Sequence, residues 1–221
     1  MNTNRERILQ RLRGATHSRT SMDAPSFSDA ALFANHPTQE DLVERFGAKL
    51  LSLKGEFFRV RDIREAAARV QELLASVAAT PAKVCLRQRH DLIDAVTAQE
   101  PWLQTHTTPL PHDLPNEVFA QYEAGLTAAD FLIARTGSVM LDSASAGGRR
   151  LSVLPPLHLV IATASQVVAS LDEAFARTKK IATASYMTII TGPSRTSDIE
   201  KILVLGAHGP KRLAVIVVDK L

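Results

Sequence analysis

Between residues 39 and 86 the spacing of the apolar residues changes period repeatedly. Leu42, Val43, Phe46, Leu50 and Leu53 recur at helical spacing over residues 39–53. Phe57-Phe58-Arg59-Val60 then reads as a short strand. Residues 63–79 form an Ala-rich helical pattern with Ile63, Ala66, Ala67, Val70, Leu73, Leu74 and Val77 on one side, and Pro81 breaks it. Residues 82–86 read as a second strand. Helix, strand, helix and strand in that order predict a parallel sheet joined by crossover helices. A last strand over residues 213–219 is apolar on both faces, as a central parallel strand should be.

The middle of the chain departs from this alternation. Residues 102–115 hold Pro109, Pro111, His112 and Pro115 and read as an irregular connection with one edge strand. Residues 130–134 and 138–142 are two short strands, and Thr136-Gly137 between them suits a tight hairpin. After a small-residue loop at 143–148, residues 149–154 and 157–163 read as further strands. This is an antiparallel β insertion in an α/β chain. Alternation resumes with a helix over 171–180, a strand over 187–191 and a helix over 194–203.

The amino-terminal stretch behaves differently. Ile8, Leu9 and Leu12 make one narrow apolar stripe on a basic helix over residues 2–13. Residues 15–28 are rich in Ser, Thr, Pro and Asp and read as a linker. The expected organisation is therefore a helix and linker over residues 1–28 and an α/β domain over residues 29–221.

Composition excludes several classes. One cysteine, Cys85, permits neither an intrachain disulfide nor a four-cysteine zinc or iron–sulfur site, and its place inside a strand predicts a buried, unreactive thiol. The net charge is +3 with 5% aromatics. The basic residues are scattered, without the dense stripe of a nucleic-acid binder. No metal-ligand spacing, phosphate-loop motif, GxGxxG or GxSxG is present. The longest apolar runs are too short to span a bilayer, and residues 4–10 carry no apolar signal core, so the expected compartment is the cytoplasm.

Three small-residue turns follow strand candidates: Thr136-Gly137-Ser138, residues 191–198, and Gly206-Ala207-His208-Gly209-Pro210. In the second, Ser194 or Thr196 can cap the expected helix, with Asp198 in its first turn, leaving backbone N–H groups for an anion. The other reading is that the glycines make turns and the hydroxyls cap. His208 sits in a rigid turn, as a donor, an acid–base group or a structural hydrogen-bond partner. Arg149 and Arg150 would face opposite sides of a strand, so that one reaches a carboxylate or phosphate. The turns that follow parallel strands would bring Thr136, Gly137, Ser194, Thr196 and His208 into one cleft at the carboxyl ends of the sheet.

The run from Ala129 to Asp142, Gly148-Arg149-Arg150, the block Thr191-Gly192-Pro193-Ser194-Arg195-Thr196-Ser197-Asp198-Ile199-Glu200 and the block Gly206-Ala207-His208-Gly209-Pro210 resemble the LUD-domain family. Within it, they resemble the lactate-utilisation protein C subfamily. The motif-bearing part covers about residues 120–219. The family commonly has an acid before the first Thr-Gly, where this chain has Arg135. The resemblance implies a fold akin to the ribose-5-phosphate isomerase and CoA-transferase-like superfamily: an open, mostly parallel sheet with helices on both faces. It also implies an accessory or ligand-binding subunit in the oxidation of L-lactate to pyruvate, with iron–sulfur clusters held by partner subunits. The expected ligand set is Thr136, Gly137, Ser138, Arg149, Gly192, Ser194, Thr196, Asp198 and His208, with no metal and no catalytic residue assigned. The alternative is a stand-alone enzyme of that superfamily acting on a phosphorylated, CoA- or folate-like anion.

Overall fold

The strand Arg212–Val218 shows how the sheet is built. Its alternate residues Ala214, Ile216 and Val218 enter one core, and Leu213, Val215 and Val217 enter another on the opposite face. All six are nearly inaccessible to solvent. A computed structural model describes residues 4–7, 38–77, 84–111, 113–142, 149–178, 186–197, 203–205 and 209–221. The chain divides into two compact units, Met1–Asn35 and His36–Leu221. In the first, residues 4–7 are helical, and the rest of the expected arm and its linker lie outside the described residues.

The second unit opens with helix α1 (Gln39–Ser52), which leads into strand β1 (Glu56–Val60). Thr38 and Asp41 form a reciprocal capping box at the start of α1, an arrangement that contributes about 1 kcal/mol. Helix α2 (Ile63–Ala75) follows, capped by Asp62, and then strand β2 (Cys85–Arg87). Helices α3 (Asp91–Thr97) and α4 (Pro101–His106) lead to edge strand β3 (Thr107–Pro109). A short helix, α5 (Asn116–Phe119), returns the chain to strand β4 (Ala124–Ala128). The remaining members of this sheet are β7 (Leu157–Thr163) and β12 (Arg212–Val218), and the order β1-β12-β7-β4-β2-β3 is parallel throughout. Helices α2, α3 and α4 cover one face; α1 and a second sheet cover the other.

That second sheet is the antiparallel insertion. Strands β5 (Phe131–Ile133) and β6 (Ser138–Asp142) form the expected hairpin, with Gly137 at φ 67° in its turn. Strand β8 (Val167–Val168) joins β5 in parallel, and β9 (Met187–Ile190) joins β6 antiparallel. The α/β class, the parallel sheet, the helices on both faces and the inserted ribbon thus hold. Among the described residues, no helix is long and apolar enough to cross a membrane.

Three local readings need correction. Residues 149–154 were expected as a strand, but Arg150–Val153 is a helical turn, α6. The turn buries Leu151 against Leu86, Phe119 and Tyr122, while Arg150 donates to the Leu114 carbonyl at 2.5 Å. Residues 187–191 do form a strand, but it belongs to the insertion, because its backbone pairs with β6. The helix expected over 194–203 is absent at its described residues. Arg195–Ser197 is strand β10, antiparallel to β11 (Leu203–Leu205). The capping signals at Ser194 and Thr196 lose to this cross-strand pairing, so no helix N-terminus stands there to meet an anion.

Candidate functional site

The predicted turns converge, but at the end of the molecule opposite to the one expected. Gly137 packs against the last turn of α1: a Cβ there would lie 2.8 Å from the Leu50 nitrogen. Gly192, at φ 86°, packs against Leu53, where a Cβ would stand 3.2 Å from the Leu53 Cβ. The Arg195 guanidinium donates to the Leu53 carbonyl. Leu53 lies three residues before β1, so these contacts sit beside the amino end of the parallel sheet. The Ser194 N–H donates to the Pro210 carbonyl at 2.9 Å, just ahead of the amino end of β12. A chain of hydroxyls joins the first two turns. Thr136 Oγ1 and Ser138 Oγ are 2.7 Å apart, and Ser138 Oγ and Thr191 Oγ1 are 2.9 Å apart. Positive φ and close approach give both glycines a packing reason that needs no ligand.

Arg149 lies elsewhere. Its guanidinium stacks on the Tyr186 ring at 4.8 Å, and its backbone N–H donates to the Tyr186 hydroxyl. Tyr186 precedes Met187, which pairs with Asp142, whereas Thr191 follows Ile190, which pairs with Val139. Arg149 and the hydroxyl chain therefore occupy opposite ends of the β6–β9 ribbon. Arg135 is exposed and hydrogen-bonds the Ala169 carbonyl through its backbone N–H. Asp198 and His208 lie outside the described residues, as does the Thr196 side chain.

At the carboxyl ends of the strands the structure contains a feature that the residue patterns did not indicate. Strand β2 leads outward to β3, whereas its neighbour β4 leads through the insertion to β7 on the other side. Connections that leave adjacent parallel strands in opposite directions open a crevice above their carboxyl ends. The last backbone pair between β2 and β4 is Arg87 with Leu126. Beyond it the buried Gln88 takes over: its N–H donates to the Leu126 carbonyl, and its side-chain oxygen accepts from the Ala128 N–H at 2.8 Å. A side chain standing in for backbone pairing lets the strands part.

A cleft of about 240 Å³ opens there, lined by His90, Ala129, Asp130, Phe131, Gln166, Arg177 and Thr178. Each wall is held by the fold. His90 caps α3, its Nδ1 accepting from the Leu92 N–H at 3.1 Å. Asp130 Oδ2 accepts from the Asp142 N–H at 2.7 Å, which fixes the start of β5 on β6. Gln166 donates to the Ala129 carbonyl and accepts from the Thr163 N–H, so its amide is fully ordered. The Arg177 guanidinium lies 5.4 Å from the Phe131 ring centroid, with long contacts to Ser165 and Glu173. Of these residues, Ala129, Asp130 and Phe131 belong to the run that carries the family resemblance. Their meeting with His90 was not legible there, because it depends on the strand order.

Two buried groups lie outside the cleft. Cys85, expected as a buried thiol, is fully enclosed, and burial pushes its pKa up, so it carries no thiolate. His158, on β7, is also fully buried, and burial lowers its pKa to about 3. Its Nε2 meets Thr127 Oγ1 at 2.9 Å, and its Nδ1 has no hydrogen-bond partner among the described residues. Among those residues, no group of three or more His, Cys, Asp or Glu could hold a metal.

Residues 43–218 match the LUD domain family model. The chain is 36% identical over 101 residues to the lactate utilization protein C of Shouchella clausii, covering 44% of each chain. It is 35% identical over 122 residues to the lactate utilization protein C of Deinococcus radiodurans, covering 53% of this chain and 58% of that one. The chain thus spans about half the length of the curated relatives it matches. A crystal structure of a DUF162 family protein from Deinococcus radiodurans superposes with a TM-score of 0.59. It covers 83% of this chain and 99% of that one, at 22% identity, and shows the fold alone.

Proposed function

The chain belongs to the LUD-domain family, and from that premise we propose that it is the accessory or ligand-binding subunit of a system that oxidises L-lactate to pyruvate with iron–sulfur partner subunits. The family matches to proteins named for lactate utilisation carry this reading. The electron count supports the division of labour. Converting lactate to pyruvate releases two electrons and two protons, and something must accept the electrons. This chain has one cysteine, enclosed in β2, so it cannot itself ligate a four-cysteine cluster. The carboxyl-end cleft gives the chain a place to hold a small ligand. The same reading puts the chain in the cytoplasm.

Deletion of the gene tests the role. Growth on L-lactate as carbon source should fail, growth on pyruvate should persist, and the wild-type gene should restore lactate growth. An affinity-tagged chain should retain cysteine-rich iron–sulfur proteins from lactate-grown cells. Unimpaired growth on lactate would overturn the reading. Turnover of a phosphorylated or CoA-linked substrate by the purified chain alone would favour the stand-alone enzyme instead.

A further inference from the structure

The two edges of the parallel sheet differ. Strand β3 has three residues and ends in Pro109, which has no N–H to offer. Strand β1 has five residues and no proline, and within the sheet it pairs with β12 alone. We propose that the open edge of β1 pairs with the same edge of a second copy of this chain, antiparallel about a two-fold axis between the two Phe58 residues.

The backbone bonds select the register. Successive residues of a parallel strand aim their N–H and carbonyl groups to opposite sides. The Val60 carbonyl accepts from the Asp219 N–H, so Val60, Phe58 and Glu56 face β12. Phe57 and Arg59 therefore aim their N–H and carbonyl groups outward. Among the described residues, no other segment bonds these groups. Facing residues of an antiparallel pair can exchange both of their backbone bonds. With Phe58 opposite Phe58, Phe57 of each copy faces Arg59 of the other, and every outward group finds a partner. A register centred on Phe57 would need the Gly55 N–H, which already donates to the Leu50 carbonyl. A register centred on Arg59 would need Arg61, whose N–H donates to Glu65 and whose carbonyl accepts from the Lys220 N–H.

The side chains agree with that register. Helix α1 lies along the edge: its Glu40 pairs with Arg59 at 3.4 Å, and its Gly47 packs on the Phe57 ring, where a Cβ would lie 2.5 Å away. Leu51 stands one turn beyond Gly47 on the same helix face and is 54% exposed. Leu51 and the half-buried Phe57 thus form an apolar strip beside the open backbone. Charges guard an edge strand by repelling a second strand, but those on β1 are neutralised within the chain. Glu56 pairs with Arg212, Arg59 with Asp219, and the adjoining Arg61 with Glu65. Lys54 and Asp62 flank the strand. Lys54 is exposed and has no ion pair among the described residues, and Asp62 caps α2 through Oδ1, leaving Oδ2 for a cation. The Phe58 register sets Lys54 of each copy opposite Asp62 of the other, so both ends of the junction carry complementary charge.

Sedimentation equilibrium of the full chain tests this. The wild type should form a dimer at micromolar concentration that dissociates on dilution. Leu51→Glu and Lys54→Asp, both at exposed positions, should each weaken the dimer at least tenfold. Aspartate tolerates the φ of 66° at residue 54, so the second variant should fold. Phe58→Cys should oxidise to a disulfide-linked dimer, because facing Cα atoms in a non-hydrogen-bonded pair stand about 4.5 Å apart. Phe57→Cys, opposite Arg59, should not, and the enclosed Cys85 cannot compete. Hydrogen exchange of the wild type needs no substitution: the Phe57 and Arg59 amides should exchange more slowly as the chain is concentrated. A chain that stays monomeric, a dimer unchanged by both Leu51→Glu and Lys54→Asp, or cross-linking through position 57 in place of 58 would each overturn the proposal. So would protection of these amides only on adding cysteine-rich iron–sulfur proteins, which would assign the edge to a different partner.

Discussion

The two ends of the parallel sheet are built on opposite plans. At the amino end, Gly137 and Gly192 bring their turns against the end of α1, and Thr136, Ser138 and Thr191 close a hydroxyl chain between them. At the carboxyl end, β2 and β4 part at Gln88, and the polar residues around them face a cleft. Small residues and hydroxyls in a turn suggest ligand binding when read along a sequence. Here they serve close packing, and the open polar space lies where adjacent strands send their connections apart. Substitutions at the amino end should therefore cost stability, and substitutions at the carboxyl end should cost binding.

The largest effect is expected at Gly137. A valine there must adopt φ near 67° and place a Cβ 2.8 Å from backbone. Left-handed backbone and overpacking together predict a loss of roughly 3–4 kcal/mol in urea unfolding. A Gly137→Val chain as stable as the wild type would break the comparison at its firmest point.

His158 comes next, in the second position of β7 and so also toward the amino end. Its folded pKa is about 3 against 6.5 unfolded. Above pH 6.5 both states are neutral at this residue, and it adds no pH dependence. Below 6.5 the unfolded chain takes up a proton that the folded chain refuses, so stability falls until the pH approaches 3. At pH 4 the loss is about 3 kcal/mol. His158→Gln should remove that part of the pH slope between 6.5 and 4. An unchanged slope would show that the ring is protonated in the folded chain.

Ser138→Ala is a smaller change at the same end. It removes the middle of the hydroxyl chain and should cost about 1 kcal/mol in denaturant unfolding, with no change in lactate binding. A binding loss here would put the hydroxyl chain at a ligand after all. Arg177→Gln should have the smallest effect on stability, less than about 0.5 kcal/mol, because its partners are exposed and distant. A clear destabilisation would make Arg177 a structural group and weaken the contrast between the ends.

Much of the fold was legible because period reports burial. Val43, Phe46 and Leu50 repeat at helical spacing and are buried in α1; Val215 and Val217 alternate with Ile216 and fill both cores. What failed was short or ambiguous. Strand β4 carries Ala124, Gly125 and Ala128, which have little strand propensity, yet it is wholly buried between β7 and β2. Helix α3 shows Leu92, Ile93 and Val96 at helical spacing, a signal that could have been read. Residues 149–154 and 194–203 were misread because a single helical turn and a short hairpin take their shape from their partners. Those partners are Leu86 and Phe119 for the first and Leu203–Leu205 for the second.

The sequence by itself determined the α/β class, the inserted ribbon, the enclosed thiol and the family, since each rests on local period, on composition or on motif order. The tertiary structure decided which end of the sheet holds packing and which holds space. Side-chain period tells a strand which faces are buried, but not which strand will lie beside it. The neighbours β2 and β4 pair Cys85 with Ala124 and Arg87 with Leu126, positions 39 residues apart in the sequence. The cleft exists because their pairing stops at Arg87 and Leu126, and that distant pairing brings His90 beside Asp130 and Arg177.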